Sequence, residues 1–243
     1  MNLIIDIGNT ATKLAVFQSN KIIQVQTVAT TNMVVGVEEL LEKFISIKQG
    51  LLSSVKMIDN LDLERLQKLL PIKTLEVSFQ LPFNNTYDTP HTLGVDRLAL
   101  MAAAVQQYSK RNVLVIDAGS CITYDFMDSN QNYLGGAISP GVEMRYKALE
   151  TFTSNLPLLP KTSPNQRIGS STEASIHSGV IHGLIHEIEG TIKEYQNKYS
   201  DLTVILTGGD ADFLCKQFKI SIFANSNFLL EGLNFLLEFN SYE

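Results

Sequence analysis

The run Asp6-x-Gly8-Asn9-Thr10, with Thr12 and Lys13 behind it, gathers the residue types that hold a polyphosphate. Gly8 lets the backbone approach an anion closely, Asn9, Thr10 and Thr12 offer donors, and Lys13 supplies positive charge. Asp6 repels an anion, so its carboxylate at a strand end suits Mg²⁺ instead, directly or through water, because that ion prefers oxygen ligands. The competing reading is an ordinary hairpin turn, since Asp, Gly and Asn populate turns for backbone reasons alone. A second copy weighs against it. Ile4-Ile5-Asp6-Ile7-Gly8-Asn9 and Val115-Ile116-Asp117-Ala118-Gly119-Ser120 share the pattern apolar-apolar-Asp-x-Gly-polar, and Thr123 follows the second copy. Thr207-Gly208-Gly209-Asp210 adds a third glycine turn after a strand, where a ribose or base could lie against the backbone. Together these turns point to one cleft. The chain has neither a G-x-x-x-x-G-K-[ST] loop nor a G-x-G-x-x-G fingerprint, which excludes a Walker-type site and a dinucleotide fold.

Asp96 and Arg97 follow a glycine at a predicted helix start, where a carboxylate can face a cleft beside helix-dipole donors. The plainer alternative is an acid that merely favours the dipole. Phosphoryl transfer gains most from positioning and charge neutralisation, so an Asp base need only orient an alcohol and take its proton late. Arg97 could grip a substrate carboxylate with two parallel hydrogen bonds or form a structural ion pair. His182 and His186 lie four apart near Glu187 and Glu189, but the H-E-x-x-H order of a zinc helix is missing. They read as surface histidines. Cys121 and Cys215 are far apart and read as reduced, packed thiols.

Positioning these groups requires alternating elements. Strands are expected at Leu3 to Ile7, Lys13 to Phe17, Ile22 to Val28, Leu51 to Val55 and Lys73 to Val77, with helices from Val34 to Ile47 and from Asp62 to Leu70. Leu81 to Leu93 lacks periodicity and reads as a long, functional loop. A helix from Val95 to Tyr108 leads into the second strand-and-turn copy, a return strand at Thr123 to Phe126, a strand from Tyr133 to Ile138, and a helix from Val142 to Phe152. Thr172 to Tyr199 forms the longest helix, with Ile181, Leu184, Ile185, Ile188 and Ile192 in one apolar stripe. Gly179 and Gly183 sit one turn apart on it, where another backbone could approach closely. A strand at Thr203 to Leu206 and helices from Ala211 and from Phe228 to Phe239 complete the chain.

With 243 residues and 44% apolar composition, the chain can bury a sizeable core, and two lobes are expected, 1–110 and 111–243. A net charge of −6 with scattered Lys and Arg argues against nucleic acid or anionic membranes as partners. No apolar run approaches the roughly 18 residues of a membrane span, and no basic leader precedes the first strand. A soluble, cytoplasmic protein is expected.

Two Asp-x-Gly hairpins and a late Gly-Gly turn resemble the superfamily of acetate kinase, sugar kinases, heat-shock chaperones and actin. More narrowly, Gly94-Val95-Asp96-Arg97, Asp117-Ala118-Gly119-Ser120-Cys121-x-Thr123, Gly135-Gly136-x-Ile138-x-Pro140-Gly141 and Thr172-Glu173-x-x-Ile176-x-x-Gly179 resemble, in order, the motif series of type III pantothenate kinases. The resemblance implies an α/β, duplicated, two-lobed actin-like ATPase (ribonuclease H-like) fold with mixed sheets flanked by helices. It implies ATP-dependent phosphorylation of pantothenate to 4′-phosphopantothenate, the opening step of coenzyme A synthesis. A kinase of another small alcohol or sugar on the same fold, or a non-catalytic nucleotide-binding regulator, is the alternative. By the same resemblance Asp6, Ile7, Gly8, Asn9, Thr10, Ala11, Thr12, Lys13 and Ser120 would bind ATP, and Asp96 would be the catalytic base. Tyr87, Gly94, Val95, Asp96, Arg97 and Thr172 would shape the pantothenate pocket. Asp117 would hold a monovalent cation, K⁺ or NH₄⁺, alongside Mg²⁺, and a homodimer would form with the Gly179 and Gly183 face as a candidate contact. Two departures stand out: Ser120-Cys121 where the family commonly has Thr-Ala, and Ser171 where it commonly has Asn.

Overall fold

The computed structural model describes residues 1–218 and 222–241. The chain forms two compact units: the first comprises residues 1–110, 131–134 and 227–243, and the second residues 111–130 and 135–226.

In the first unit β1 (Asn2–Ile7), β2 (Thr12–Gln18) and β3 (Lys21–Val28) make an antiparallel meander, and β4 (Gln49–Ser54) and β5 (Ile72–Thr74) extend it in parallel, in the order β3-β2-β1-β4-β5. Parallel neighbours need a crossover. The helices α1 (Met33–Lys43) and α2 (Asn60–Leu69) supply it before β4 and before β5. Alternation along the strands then assigns each face. Leu3, Ile5, Ile7, Leu14, Val16 and Leu52 enter one core with Val37 and Leu40 of α1 and Leu66 of α2. The opposite face carries Asn2, Ile4 and Asp6 of β1 with Ala15, Phe17 and Lys13 of β2 and Leu51 and Ser53 of β4. That face is covered by α3 (Val95–Gln107) and α7 (Phe228–Phe239). Asn2 Nδ2 donates to Asn234 Oδ1 of α7 at 2.9 Å, and Asn234 in turn donates to the Ser19 carbonyl at 3.0 Å. The two covering helices cross with their backbones nearly touching, because a Cβ on Gly232 would clash with the Ala99 carbonyl.

The other sheet runs β11 (Phe223–Ala224), β10 (Thr203–Thr207), β7 (Val113–Ala118), β8 (Cys121–Met127), β9 (Asn132–Pro140) and β6 (Asn84–Asn85). β6 pairs only with the first residues of β9, Asn132 and Tyr133, which belong to the first unit. In the second unit α4 (Val142–Thr151) and α5 (Thr172–Lys198) pack together, with the short α6 (Ala211–Cys215) following β10. The apolar stripe of α5 is buried against Leu114, Ile116, Ile122 and Tyr124 of the sheet. Ser171 caps α5, accepting from Ala174 N at 3.2 Å. Asn and Ser are equivalent caps, so this departure from the family pattern leaves the helix start intact.

The repeat seen in the sequence has a structural counterpart. β1 and β2 set Asp6 opposite Lys13, and β7 and β8 set Asp117 opposite Thr123. Several element boundaries differ from expectation. α1 stops at Lys43 rather than Ile47, because Phe44 leaves the helix at φ −122° and ψ 73°. β5 spans only Ile72–Thr74, and Phe79 N bonds the Glu76 carbonyl in a turn at 3.1 Å. The stretch from Leu81 to Leu93 contains β6 and one 3-10 turn, Pro90–Thr92. Gly179 and Gly183 face open space, with nothing within 4 Å of a Cβ built there, so no backbone among the described residues approaches them.

Gly232→Ala is expected to cost about 1–3 kcal/mol of stability, the range for forced overpacking. Urea unfolding measures this, and an unchanged midpoint would show that α3 and α7 can separate freely.

Candidate active site

The first unit assembles one group of candidates at the carboxyl end of β1. Gly8 N donates to the Ala11 carbonyl at 3.1 Å, closing the β1–β2 turn. Asn9 and Thr10 project into solvent from it. Thr12 is buried and donates to Thr30 Oγ1 at 3.2 Å, so its hydroxyl serves the hairpin itself. Across the sheet Lys13, Asp6 and Ser53 lie in one row, each in register with the next. Asp6 is only 8% exposed. Burial pushes its carboxyl up to about 6, against the pull of Lys13 and with the help of repulsion from Asp96. Lys56, just beyond β4, reaches back to the Asn9 carbonyl at 3.3 Å.

Asp96 sits in the first turn of α3, where Gly94 is the N-cap. Its Oδ1 accepts from Arg97 N at 2.9 Å. The carboxylate folds over Gly94 so closely that any Cβ there would clash with Oδ1. This explains why a glycine precedes the acid by two. Arg97 is buried, and its guanidinium carbon lies 5.4 Å from the Tyr87 ring centroid. Tyr87 stacks on Tyr133, with centroids 6.1 Å apart and planes at 7°. Tyr87 N donates to Asn85 Oδ1 at 3.1 Å and Thr86 N to the Tyr133 carbonyl at 3.1 Å, which fixes the loop. Tyr133 is a supporting residue the sequence reading missed, because its partner lies 46 residues away and only the two-residue ladder of β6 connects them.

The second unit holds the other candidates. Asp117 is the penultimate residue of β7, and Gly208, at φ +96°, packs so tightly that a side chain would strike Asp117 Oδ1 and the Ala118 carbonyl. Asp210 N donates to that carbonyl at 2.9 Å, and Lys161 pairs with Asp210 while lying 5.2 Å from the Phe213 ring centroid. Gly141 N donates to the Ser120 carbonyl at 3.1 Å, and its lack of a side chain lets β9 close on the Ser120 turn. The second glycine turn and the Gly208-Gly209 turn therefore form one backbone cluster around Asp117. Thr172 lies elsewhere in the unit, on the wall of a cavity of about 1200 Å³ with Arg145, Leu149, Phe152, Ile176 and Gly179. Arg145 is held there by Glu187 at 2.6 Å and by the Pro140 carbonyl at 2.9 Å. Burial pushes the Glu187 carboxyl up, but hydrogen bonds from Arg145, Ser139 and Tyr124 outweigh it and hold the group below the ordinary range.

His182 Nδ1 lies 3.1 Å from Ser178 Oγ, and His186 is engaged by the His182 carbonyl and Arg167, both at 2.7 Å. Among the described residues no three His, Cys, Asp or Glu side chains gather as a metal cluster. Asp6 and Asp117 each offer a carboxylate at a strand end, an oxygen donor of the kind hard cations use.

The family model for type III pantothenate kinase matches residues 2–194. The chain belongs to the type III pantothenate kinase family. Proteins of that name from Christiangramia forsetii and Flavobacterium johnsoniae are 55% and 46% identical to it, over 99% and 96% of both chains respectively. Among solved structures, a Campylobacter jejuni protein described as a candidate Baf family transcriptional activator superposes with a TM-score of 0.64 at 24% identity, covering 98% of both chains. A glucokinase from an Antarctic psychrotroph gives 0.52 at 13%, also covering 98% of both chains. At these identities the structures speak to fold alone, and the fold of this pantothenate kinase family member is the mixed α/β architecture of the actin-like ATPases and sugar kinases. No helix among the described residues is long and apolar enough to cross a membrane.

The raised Asp6 pKa fixes the sign of a stability effect. Between the unfolded value near 4 and the folded value of about 6 the folded state holds more protons, so its stability falls as pH rises through that window. Asp6→Asn removes the penalty. It is expected to stabilise the ligand-free protein by about 2–3 kcal/mol at pH 8, with the gain vanishing toward pH 4. Urea unfolding at both pH values checks this, and a gain independent of pH would contradict it.

Proposed function

We propose that this protein transfers the γ-phosphoryl group of ATP to the primary hydroxyl of pantothenate, giving 4′-phosphopantothenate, the first intermediate of coenzyme A synthesis. The observation that carries the reading is geometric: the buried carboxylate of Asp6 shares one sheet face with Lys13, and α3, whose first turn carries Asp96, covers that face. Such a pair of acids is costly unless a cation and an alcohol divide their roles. Asp6 would hold the Mg²⁺ that accompanies the nucleotide, and that ion would supply charge neutralisation for the transferring phosphate. Lys13 and the turn residues from Ile7 to Thr12 hold the phosphates, with Ser120 as a further contact from the second Asp-x-Gly turn. Asp96, aimed by the Arg97 amide and the α3 N-terminus, accepts the hydroxyl proton of pantothenate.

Tyr87, Gly94, Val95, Arg97 and Thr172 shape the pantothenate pocket. The stack of Arg97 on Tyr87 and Tyr133 gives one wall of it a fixed geometry. Asp117, beside the Gly208 turn, would hold a monovalent cation, K⁺ or NH₄⁺, which would offset the carboxylate's charge near the nucleotide. Two copies associate, with the open Gly179 and Gly183 face of α5 as the candidate contact, and the protein works in the cytoplasm.

An ADP-release assay with pantothenate and a panel of other alcohols tests the assignment. Turnover of pantothenate with ATP, Mg²⁺ and K⁺ is expected, and turnover of a sugar in its place would redirect the reading. Asp96→Asn should lower kcat by about 10²–10⁴ while nucleotide still binds. Loss of nucleotide binding in parallel would assign Asp96 to binding rather than proton transfer.

A further inference from the structure

Ser53 ends the buried part of β4, is fully enclosed, and its hydroxyl has no hydrogen-bond partner among the described residues. A hydroxyl withdrawn from water without a partner destabilises a fold, and alanine at the same place would not. Its position is informative. In the parallel ladder of β1 and β4 it is the register partner of Asp6, and in the antiparallel ladder of β1 and β2 Asp6 faces Lys13. The three side chains share one face of the sheet, the face covered by α3, whose first turn carries Asp96. Neighbouring strands run about 4.7–4.9 Å apart, so a serine and an aspartate in register come within hydrogen-bond reach by rotation about their own side-chain bonds. The end of β4 is also tied to the phosphate hairpin, since Ser54 Oγ donates to the Lys56 carbonyl at 2.7 Å and Lys56 Nζ to the Asn9 carbonyl at 3.3 Å.

We propose that Ser53 is a positioning residue for Asp6: in the nucleotide-bound protein its hydroxyl donates to one carboxylate oxygen and leaves the other available to the cation that accompanies the phosphate donor. The proposal rests on the kinase reading above and adds a residue to its machinery. In the ligand-free state the hydroxyl waits unpartnered, and the cost is recovered only when Asp6 turns to its working orientation. Lys13 on the other flank of Asp6 cannot do this alone, because an ammonium on a flexible stem attracts a carboxylate without fixing its rotation.

Ser53→Ala and Ser53→Cys separate this role from packing. Cysteine keeps the volume and is a poor donor, so both variants should lose kcat/KM for ATP by about tenfold, the value of one hydrogen bond to a charged group. The thermal midpoint of the ligand-free protein should not fall in either variant, and the increase produced by MgATP should shrink. Three results would overturn the proposal: both variants within about twofold of the parent, the cysteine variant alone restored, or a midpoint lowered in step with the activity loss. If the parent shows a nucleotide-induced increase but no turnover of pantothenate, the substrate assignment fails while the midpoint comparison still decides Ser53. A parent that binds no nucleotide overturns both.

Discussion

A carboxylate drawn out of water at the end of a buried strand is held at a cost, and in Asp6 that cost shows as an acid that keeps its proton to about pH 6. Burial dominates, and Asp96 adds repulsion that Lys13 only partly offsets. Under the proposed function a cation at the site would relieve this cost, because an opposite charge beside a buried carboxylate favours its ionised form. Two close contacts bear on where these acids lie. Glycine at 94 lets the Asp96 carboxylate fold back onto its own backbone, and glycine at 232 lets α3 lie close on α7 so that its N-terminus is fixed above the sheet.

The second unit repeats the hairpin but answers a different requirement. Asp117 stands opposite Thr123 rather than a lysine, and Gly208 brings a neighbouring turn directly against it. The duplicated motif thus sets two aspartates in different surroundings within one chain, Asp6 across from a lysine and Asp117 across from a threonine.

Much of this was legible in the sequence because the relevant signals are local. The Asp-x-Gly hairpins, the start of α3 at Val95, and the α5 stripe all follow from periodicity and turn chemistry within a few residues. What the sequence hid depends on distant pairing. Ser53 meets Asp6 only through the parallel register of β1 and β4, and Tyr133 supports Tyr87 through a ladder of two residues. Gly232 reads as a weak point in a helix until Ala99 is found against it. The overlong expectation for α1 has a similar origin: Ile47 keeps the apolar spacing of a helix but is buried after the chain has left it at Phe44. Gly179 and Gly183 meet nothing among the described residues, since small residues on one helix face permit a close approach without requiring one from the same chain.

The coupling between the two acids is the claim on which the account turns, and carboxyl-carbon NMR titration of Asp6 addresses it directly. The account predicts a midpoint of about 6 in the ligand-free protein and a lower one once the charge at position 96 is neutralised to asparagine. A midpoint in the ordinary carboxylate range, indifferent to residue 96, would contradict it.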